Sequence, residues 1–214
     1  EARRRCPNGV YIRPRMRRYA EMSALVREAI SRFSPLVEMA SVDEAYLDAT
    51  GLERLFGPVE EMGRRLKEAV REATGGLTCS VGIAPVKFLA KISSEQRKPD
   101  GLFLLPPEQV APFLESLPVR AVPGVGRQFA AALAQLGVQT CGDVLRGNEE
   151  FWHRRFGKAG TALWERAQGI DPREVTPWTP PKSESAEVTL DRDTRDLGIL
   201  RSWLLRHAER VGSS

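Results

Sequence analysis

The chain has 214 residues, 28% charged and 42% hydrophobic, with a formal net charge of +4. That balance describes an ordinary globular protein with room for a substantial core and one or two domains. It excludes a helical membrane protein, because no apolar run approaches the ~20 residues that cross a bilayer and no secretory h-region opens the chain. Cys6, Cys79 and Cys141 are widely spaced without a CxxC pair, and His153 and His207 stand alone, which argues against a zinc site and for a reduced, cytoplasmic protein.

The charge is unevenly placed. Residues 1–20 carry Arg3, Arg4, Arg5, Arg13, Arg15, Arg17 and Arg18 against Glu1 alone, a local +6, and the remaining 194 residues sum to −2. A basic block of this kind can contact phosphate; the simpler reading is a solvated face. The near-neutral remainder argues against a protein that grips nucleic acid by bulk charge.

Tyr19, Met22, Val26, Ile30 and Phe33 recur at helical spacing and predict a helix over 16–33. Val37–Leu47 is a strand region, read as one strand or a hairpin. Pro58 suits a first helical position, and Val59, Met62, Leu66, Val70 and Ala73 give an amphipathic helix ending at Gly75-Gly76. Leu77–Ile83 reads as a buried strand, Val86–Arg97 as a helix, Lys98–Gly101 as a type I turn, and Leu102–Leu105 as a short strand. Helices alternating with strands indicate an α/β or α+β layer fold. From Pro106 the pattern is helical, with Gly137, Gly147 and Gly169 ending successive segments. Residues 176–182 hold three prolines and read as a stiff linker. Ser183–Asp193 alternates weakly, and Leu197–Val211 is a further helix.

Within the first strand region, Ser41-Val42-Asp43-Glu44-Ala45-Tyr46-Leu47-Asp48 breaks a rule. Strand interiors disfavour Asp and Glu, and a broken rule in a well-patterned element points to a functional site. The bland alternative is a solvated edge or turn. Adjacent hard oxygen ligands suit Mg²⁺, which takes one or two carboxylates plus substrate phosphates. Consecutive strand residues face opposite sides, so a turn or bulge at 42–44 is needed for Asp43 and Glu44 to converge. Asp48 reads as a structural hydrogen-bonding group.

On the helix after Pro85, Lys87, Lys91 and Lys98 fall within about 40° of one another at ~100° per residue, opposite Phe88, Leu89 and Ile92. This is a basic stripe suited to a polyphosphate, or an amphipathic helix with a solvated face. Val122-Pro123-Gly124-Val125-Gly126, followed by a helix bearing Phe129, Leu133 and Leu136, looks like a helix-hairpin-helix. Its glycines would let phosphate reach backbone amides at a helix N-terminus, without base specificity; a plain tight turn is the alternative. Phe156-Gly157-Lys158-Ala159-Gly160 is a looser copy, with glycines three apart rather than two. Trp152, Trp164, Trp178 and Trp203 share no face and read as core or linker packing.

Three segments, SVDEAYLD from Ser41, SVGIAPVKFLAKISSEQRKPDGLFLL from Ser80 and LPVRAVPGVGRQFAAALAQLGVQTCGDVL from Leu117, resemble in order and spacing the Y family of DNA polymerases, which copy damaged templates. The resemblance implies an α/β (α+β) ferredoxin-like palm lacking its first strand, followed by a helical helix-hairpin-helix thumb. It implies the end of a fingers domain at 1–15, palm at 16–105, thumb at 106–175, linker at 176–182 and the start of a little-finger domain at 183–214. Asp43 would bridge two Mg²⁺ ions, Glu44 would serve the catalytic one, Lys91 would meet the nucleotide triphosphate, and Gly124, Val125, Gly126 and Arg127 would meet DNA. The implied activity is error-prone translesion synthesis on primer–template DNA with deoxynucleoside triphosphates, by a cytoplasmic monomer that uses a sliding clamp and no membrane. The strand carrying the family's first metal-binding Asp, and the aromatic gate after it, have no counterpart in the sequence. DNA binding without synthesis is therefore the competing expectation for these 214 residues.

Overall fold

The computed structural model describes residues 1–177, 179–180 and 182–213. Glu1–Pro177 forms one compact unit and Trp178–Ser214 another.

The first unit opens with a helical turn, α1 (Ala2–Arg5), and an irregular stretch before α2 (Met16–Ser31), close to the predicted span. β1 (Val37–Met39) and β2 (Ala45–Leu47) pair antiparallel, Val37 opposite Leu47 and Met39 opposite Ala45, so the 37–47 region is a hairpin. A turn of helix that sequence reasoning missed, α3 (Glu53–Phe56), precedes α4 (Val59–Thr74). Pro58 stands just before α4 rather than inside it, and Glu60 and Glu61 in its first turn complement the partial positive charge of its open amides. β3 (Val81–Ile83) and β4 (Leu102–Leu104) pair in parallel, joined by a crossover that contains α5 (Lys87–Glu95).

Two expectations need correction here. The strand predicted over 77–83 is only its last three residues, because β4 offers a three-residue ladder; Leu77 lies outside it, half exposed. Lys98–Gly101 is not a type I turn: the Lys98–Pro99 peptide is cis and Asp100 has φ 52°. Lys67 of α4 holds this turn by donating to the carbonyls of Cys79, Asp100 and Gly101 and to the Asp100 carboxylate.

The strands form two separate two-stranded sheets among the described residues. α2 packs on α4 and β1, while α4 and α5 both cover β3 and β4. One apolar cluster, Ile30, Val37 and Val70, lies between the first pair of helices and the hairpin. The larger cluster joins Phe88, Leu89 and Ile92 of α5, the face read from helical spacing, to Leu105, Leu114, Leu133, Trp152 and Leu163. This core is continuous across residue 105, where the sequence predicts a boundary between domains.

Beyond β4 come a 3₁₀ turn (Pro107–Gln109), α6 (Val110–Ser116), a second 3₁₀ turn (Val119–Ala121), α7 (Arg127–Gln135), α8 (Cys141–Val144), α9 (Glu149–Phe156) and α10 (Lys158–Ala167). Thr140 and Asp143 form a reciprocal capping box at α8, and Asn148 caps α9 through the Phe151 amide at 2.9 Å. Gly137 and Gly169 take the positive φ of helix-ending glycines, whereas Gly147 does not. Burial raises the Cys141 thiol to about 11, which leaves it an inert part of this core.

Gly160 is where α9 and α10 meet. A Cβ there would lie 2.1 Å from the Trp152 carbonyl oxygen, which is backbone and cannot swing away. Gly160→Ala is therefore expected to cost about 1–3 kcal/mol or more by forcing the helices apart; urea unfolding of the two proteins measures this directly. The same contact accounts for the looser spacing at 156–160: the second glycine serves helix packing and is buried away from any phosphate.

The second unit contains α11 (Leu197–Gly212), capped by Asp196 through the amides of Gly198 and Ile199. Residues 183–193 have no regular strand despite their weak alternation. Trp152 and Trp164 pack in the first unit's core as expected, and Trp203 lies under the Arg206 guanidinium and beside the tilted His207 ring of its own helix; Trp178, and Pro181 of the linker, lie outside the described residues. Among the described residues no helix is long and apolar enough to cross a membrane.

Candidate active site and nucleic-acid interface

The β1–β2 connection supplies the turn that two converging carboxylates require. The amides of Ala40 and Ser41 both donate to the Glu44 carbonyl, at 2.9 and 3.2 Å. Ser41 Oγ donates to Asp43 Oδ1 at 2.6 Å and accepts from the Asp43 and Glu44 amides. A serine that organises its own turn in this way is a local alternative to ladder pairing. Asp43 and Glu44 thus leave the strand alternation, and both are exposed at the hairpin tip. Asp48 accepts from the Thr50 side: its Oδ1 takes the Thr50 amide at 2.9 Å, and these bonds hold its carboxyl below the usual range, a structural role.

α5 faces this tip. Lys91 Nζ donates to Glu44 Oε1 and, at 3.0 Å, to Glu95 Oε1. The Glu44 bond is the main reason the Lys91 ammonium titrates above its ordinary value. Lys87 donates to both oxygens of Glu38 at 2.7 Å and lies 4.9 Å from the centre of the Tyr46 ring. Lys98 pairs with Glu95 at 2.7 Å. Of the three lysines in the predicted stripe, Lys87 and Lys91 lie on α5 and Lys98 lies beyond its end, and each of the three is matched with a carboxylate rather than free. For Lys87 the pairing is enclosed, with side-chain exposure of 11% against 25% for Glu38, and a charge pair sheltered from water is costly to break from one side only. Burial pushes the Glu38 carboxyl up, but the bonds from Lys87 and the Thr176 amide outweigh it and hold the group low.

Residues 171–176, after the last helix of the unit, close over the start of α5. That helix has no side-chain cap of its own. Asp171, 3% exposed, accepts from the Phe88 amide at 3.2 Å and from Arg173 Nε and Nη2 at 2.7 Å each. The Glu174 carbonyl accepts from Lys87, and the Thr176 amide donates to Glu38 at 2.7 Å. Sequence reasoning missed this seam. Glu38 carried a signal, being a carboxylate inside a strand like Asp43 and Glu44; Asp171 carried none.

The second candidate surface is the loop before α7. Gly124 has φ 91°, a conformation L side chains rarely adopt, which is why a glycine stands there. Gly126 is extended (φ −75°, ψ 174°) and begins α7 without any side-chain cap, so the first amides of the helix are available to an anion. Gly124, Gly126 and Arg127 are exposed. Val125 differs from expectation. Its side chain packs into the core, and its amide already donates to the Val122 carbonyl at 3.0 Å. Any phosphate role rests on its three neighbours.

The hairpin tip suits Mg²⁺ in donor type: two adjacent, exposed carboxylates with room for phosphate oxygens. Among the described residues no group of three or more His, Cys, Asp or Glu is arranged to hold a metal ion. The two carboxylates match the one-or-two that Mg²⁺ takes from a protein when substrate supplies the rest.

The chain resembles known proteins along most of its length. Residues 1–95 match the impB/mucB/samB family, and residues 120–171 match the DNA polymerase-iota thumb domain. DNA polymerase IV of Yersinia enterocolitica is 44% identical over 191 residues, 89% of this chain and 54% of that protein. DNA polymerase IV of Halorhodospira halophila is 41% identical over 95% of this chain and 57% of that protein. The chain thus spans about half the length of the curated relatives it matches. A solved Y-family DNA polymerase chimera superposes with a TM-score of 0.87 at 30% identity, covering 100% of this chain and 62% of that one. The structure described as an insertion ternary complex of Dbh DNA polymerase does so at 0.71 and 29%, covering 99% and 62%. With a palm that presents Asp43, Glu44 and Lys91 and a helical thumb that presents Gly124 and Gly126, the chain belongs to the Y family of DNA polymerases.

Proposed function

We propose that the intact protein is a template-directed translesion DNA polymerase, acting on primer–template DNA and deoxynucleoside triphosphates with two Mg²⁺ ions. The observation that carries this reading is the contact between Glu44 and Lys91, 47 residues apart in sequence. A carboxylate for metal and a cation for triphosphate meet at one place, as nucleotidyl transfer requires. Asp43 and Glu44 are the residues that would hold the ions, which when bound lower the pKa of the primer 3′-hydroxyl and offset triphosphate charge. Lys91 orients and neutralises the triphosphate. The thumb loop grips duplex phosphate through Gly124, Gly126 and Arg127, without reading bases.

The limits proposed for the parts are the end of the fingers at 1–15, palm 16–105, thumb 106–175, linker 176–182 and the start of the little finger at 183–214. By the family resemblance, the intact protein would bring a further strand with another metal-binding carboxylate. A cytoplasmic monomer engaging a sliding clamp completes the proposal. For these 214 residues by themselves, DNA binding without turnover is the second reading, favoured by the two-carboxylate set at the hairpin tip.

Lys91→Ala in the intact protein is expected to raise the nucleotide KM by about tenfold or more, with a smaller change in kcat, because the lost interaction belongs mainly to substrate binding. Steady-state incorporation of one nucleotide on a primed template measures both constants. An unchanged KM would remove Lys91 from the triphosphate site.

A further inference from the structure

We infer that Arg166 is a positioning residue for the thumb loop: it braces residues 122–126 in their phosphate-binding shape from behind, without itself touching nucleic acid. This rests on the reading that the loop binds duplex phosphate.

Arg166 lies on α10, 43 residues from Pro123, and its Nη1 donates to the Pro123 carbonyl. The loop's own backbone bond runs from the Val125 amide to the Val122 carbonyl, so the Pro123 carbonyl depends on a donor from elsewhere. The guanidinium also fills the space behind Gly124. A Cβ at Gly124 would sit 3.1 Å from Nη1, so the side chain of Arg166 and the glycine occupy complementary volumes. Gly124 and Gly126 are both exposed, and a Cβ on Gly126 would meet nothing within 4 Å.

The surroundings of Arg166 are those of a structural brace. It is half-buried, and loss of solvent is the leading reason its guanidinium is less basic than usual, followed by the nearby charge of Arg173. Asp171 and Glu165 act in the opposite sense. Arg173 is itself held bidentate by Asp171. A planar guanidinium presents its donors in a fixed fork that can brace a carbonyl, and the charged donor makes the bond stronger than a neutral one.

Salt dependence separates bracing from direct contact. Each phosphate ligand removed lowers the slope of log K against log salt by about one, whereas a residue that only shapes the site lowers affinity at constant slope. The experiment measures duplex DNA affinity of the 214-residue chain across a salt series for the wild type, Arg166→Met, Arg166→Lys and Arg127→Ala, with thermal melts of each. Arg166→Met is expected to weaken binding about tenfold, the scale of one charge-assisted hydrogen bond, with an unchanged slope. Arg166→Lys should recover most of the affinity by restoring one donor, and Arg127→Ala should lower the slope by about one. If Arg166→Met does not fold, Arg166→Lys and Arg166→Gln are compared in its place. A slope reduced by one in the Arg166 variants would make it a phosphate ligand and overturn the proposal, as would unchanged affinity or a loss that only follows the unfolded fraction. A wild-type chain that binds no DNA would overturn the thumb reading, and this inference with it; wild-type binding with indifferent Arg166 variants overturns this inference alone.

Discussion

Asp43→Asn in the intact protein is expected to lower the rate of primer extension by about 10³-fold or more, on the order of 4 kcal/mol of transition-state stabilisation, while duplex binding stays within about twofold. Asparagine keeps the size of the side chain and an oxygen that can accept from Ser41 Oγ, the bond that shapes the turn. The hairpin should therefore form as before, with the Ala40 and Ser41 amides still on the Glu44 carbonyl. What is lost is the negative charge that a hard cation requires. Single-turnover extension and a gel shift on the same sample separate the two effects. Extension at near wild-type rate would remove Asp43 from the catalytic centre, and equal loss of binding and extension would show that the turn had collapsed.

The second large effect concerns the thumb. The 214-residue chain is expected to bind primer–template DNA weakly, without sequence preference and less tightly as salt rises, and not to extend the primer. Gly126→Val should reduce that binding about tenfold or more. The backbone at Gly126 suits any residue, and the added side chain points into open space. Stability should fall by no more than about 1 kcal/mol, the scale of an altered helix cap. The bulk would be felt only by a phosphate approaching the α7 amides. A gel-shift titration, a melt and a primer-extension assay test these expectations. Efficient extension would show that the carboxylate set of this chain is complete, and absence of DNA binding at any salt would remove the thumb assignment.

Much of this was present in local patterns. The packed face of α5 followed from Phe88, Leu89 and Ile92 at helical spacing, and all three are buried. Asp43 and Glu44 drew attention because strands disfavour charge, and the need for a turn between two consecutive carboxylates followed from the strand's own periodicity. Gly75, Gly137 and Gly169 marked where helices stop, and the loop before α7 was readable from its glycines. In each case the information is carried by residues within about a turn or two of one another.

What the chain's order left open was decided by packing. Glu44 meets Lys91 across 47 residues, Phe88 is capped by Asp171 across 83, and Glu38 takes the Thr176 amide across 138. Periodicity states which face of an element is apolar, but not which other element it will lie against. The partners of long charged side chains therefore stay unspecified until the elements are stacked. The same holds for the Lys98–Gly101 turn, shaped by Lys67 from another helix, and for Val125, whose glycine-flanked position suggested contact with DNA while its apolar side chain went to the core. The sequence by itself determined the main helices, the hairpin region, the family and the chemical types at the proposed site. Only the tertiary structure decided which charges face one another, because burial strengthens a charge pair that geometry permits and leaves unpaired any that it does not.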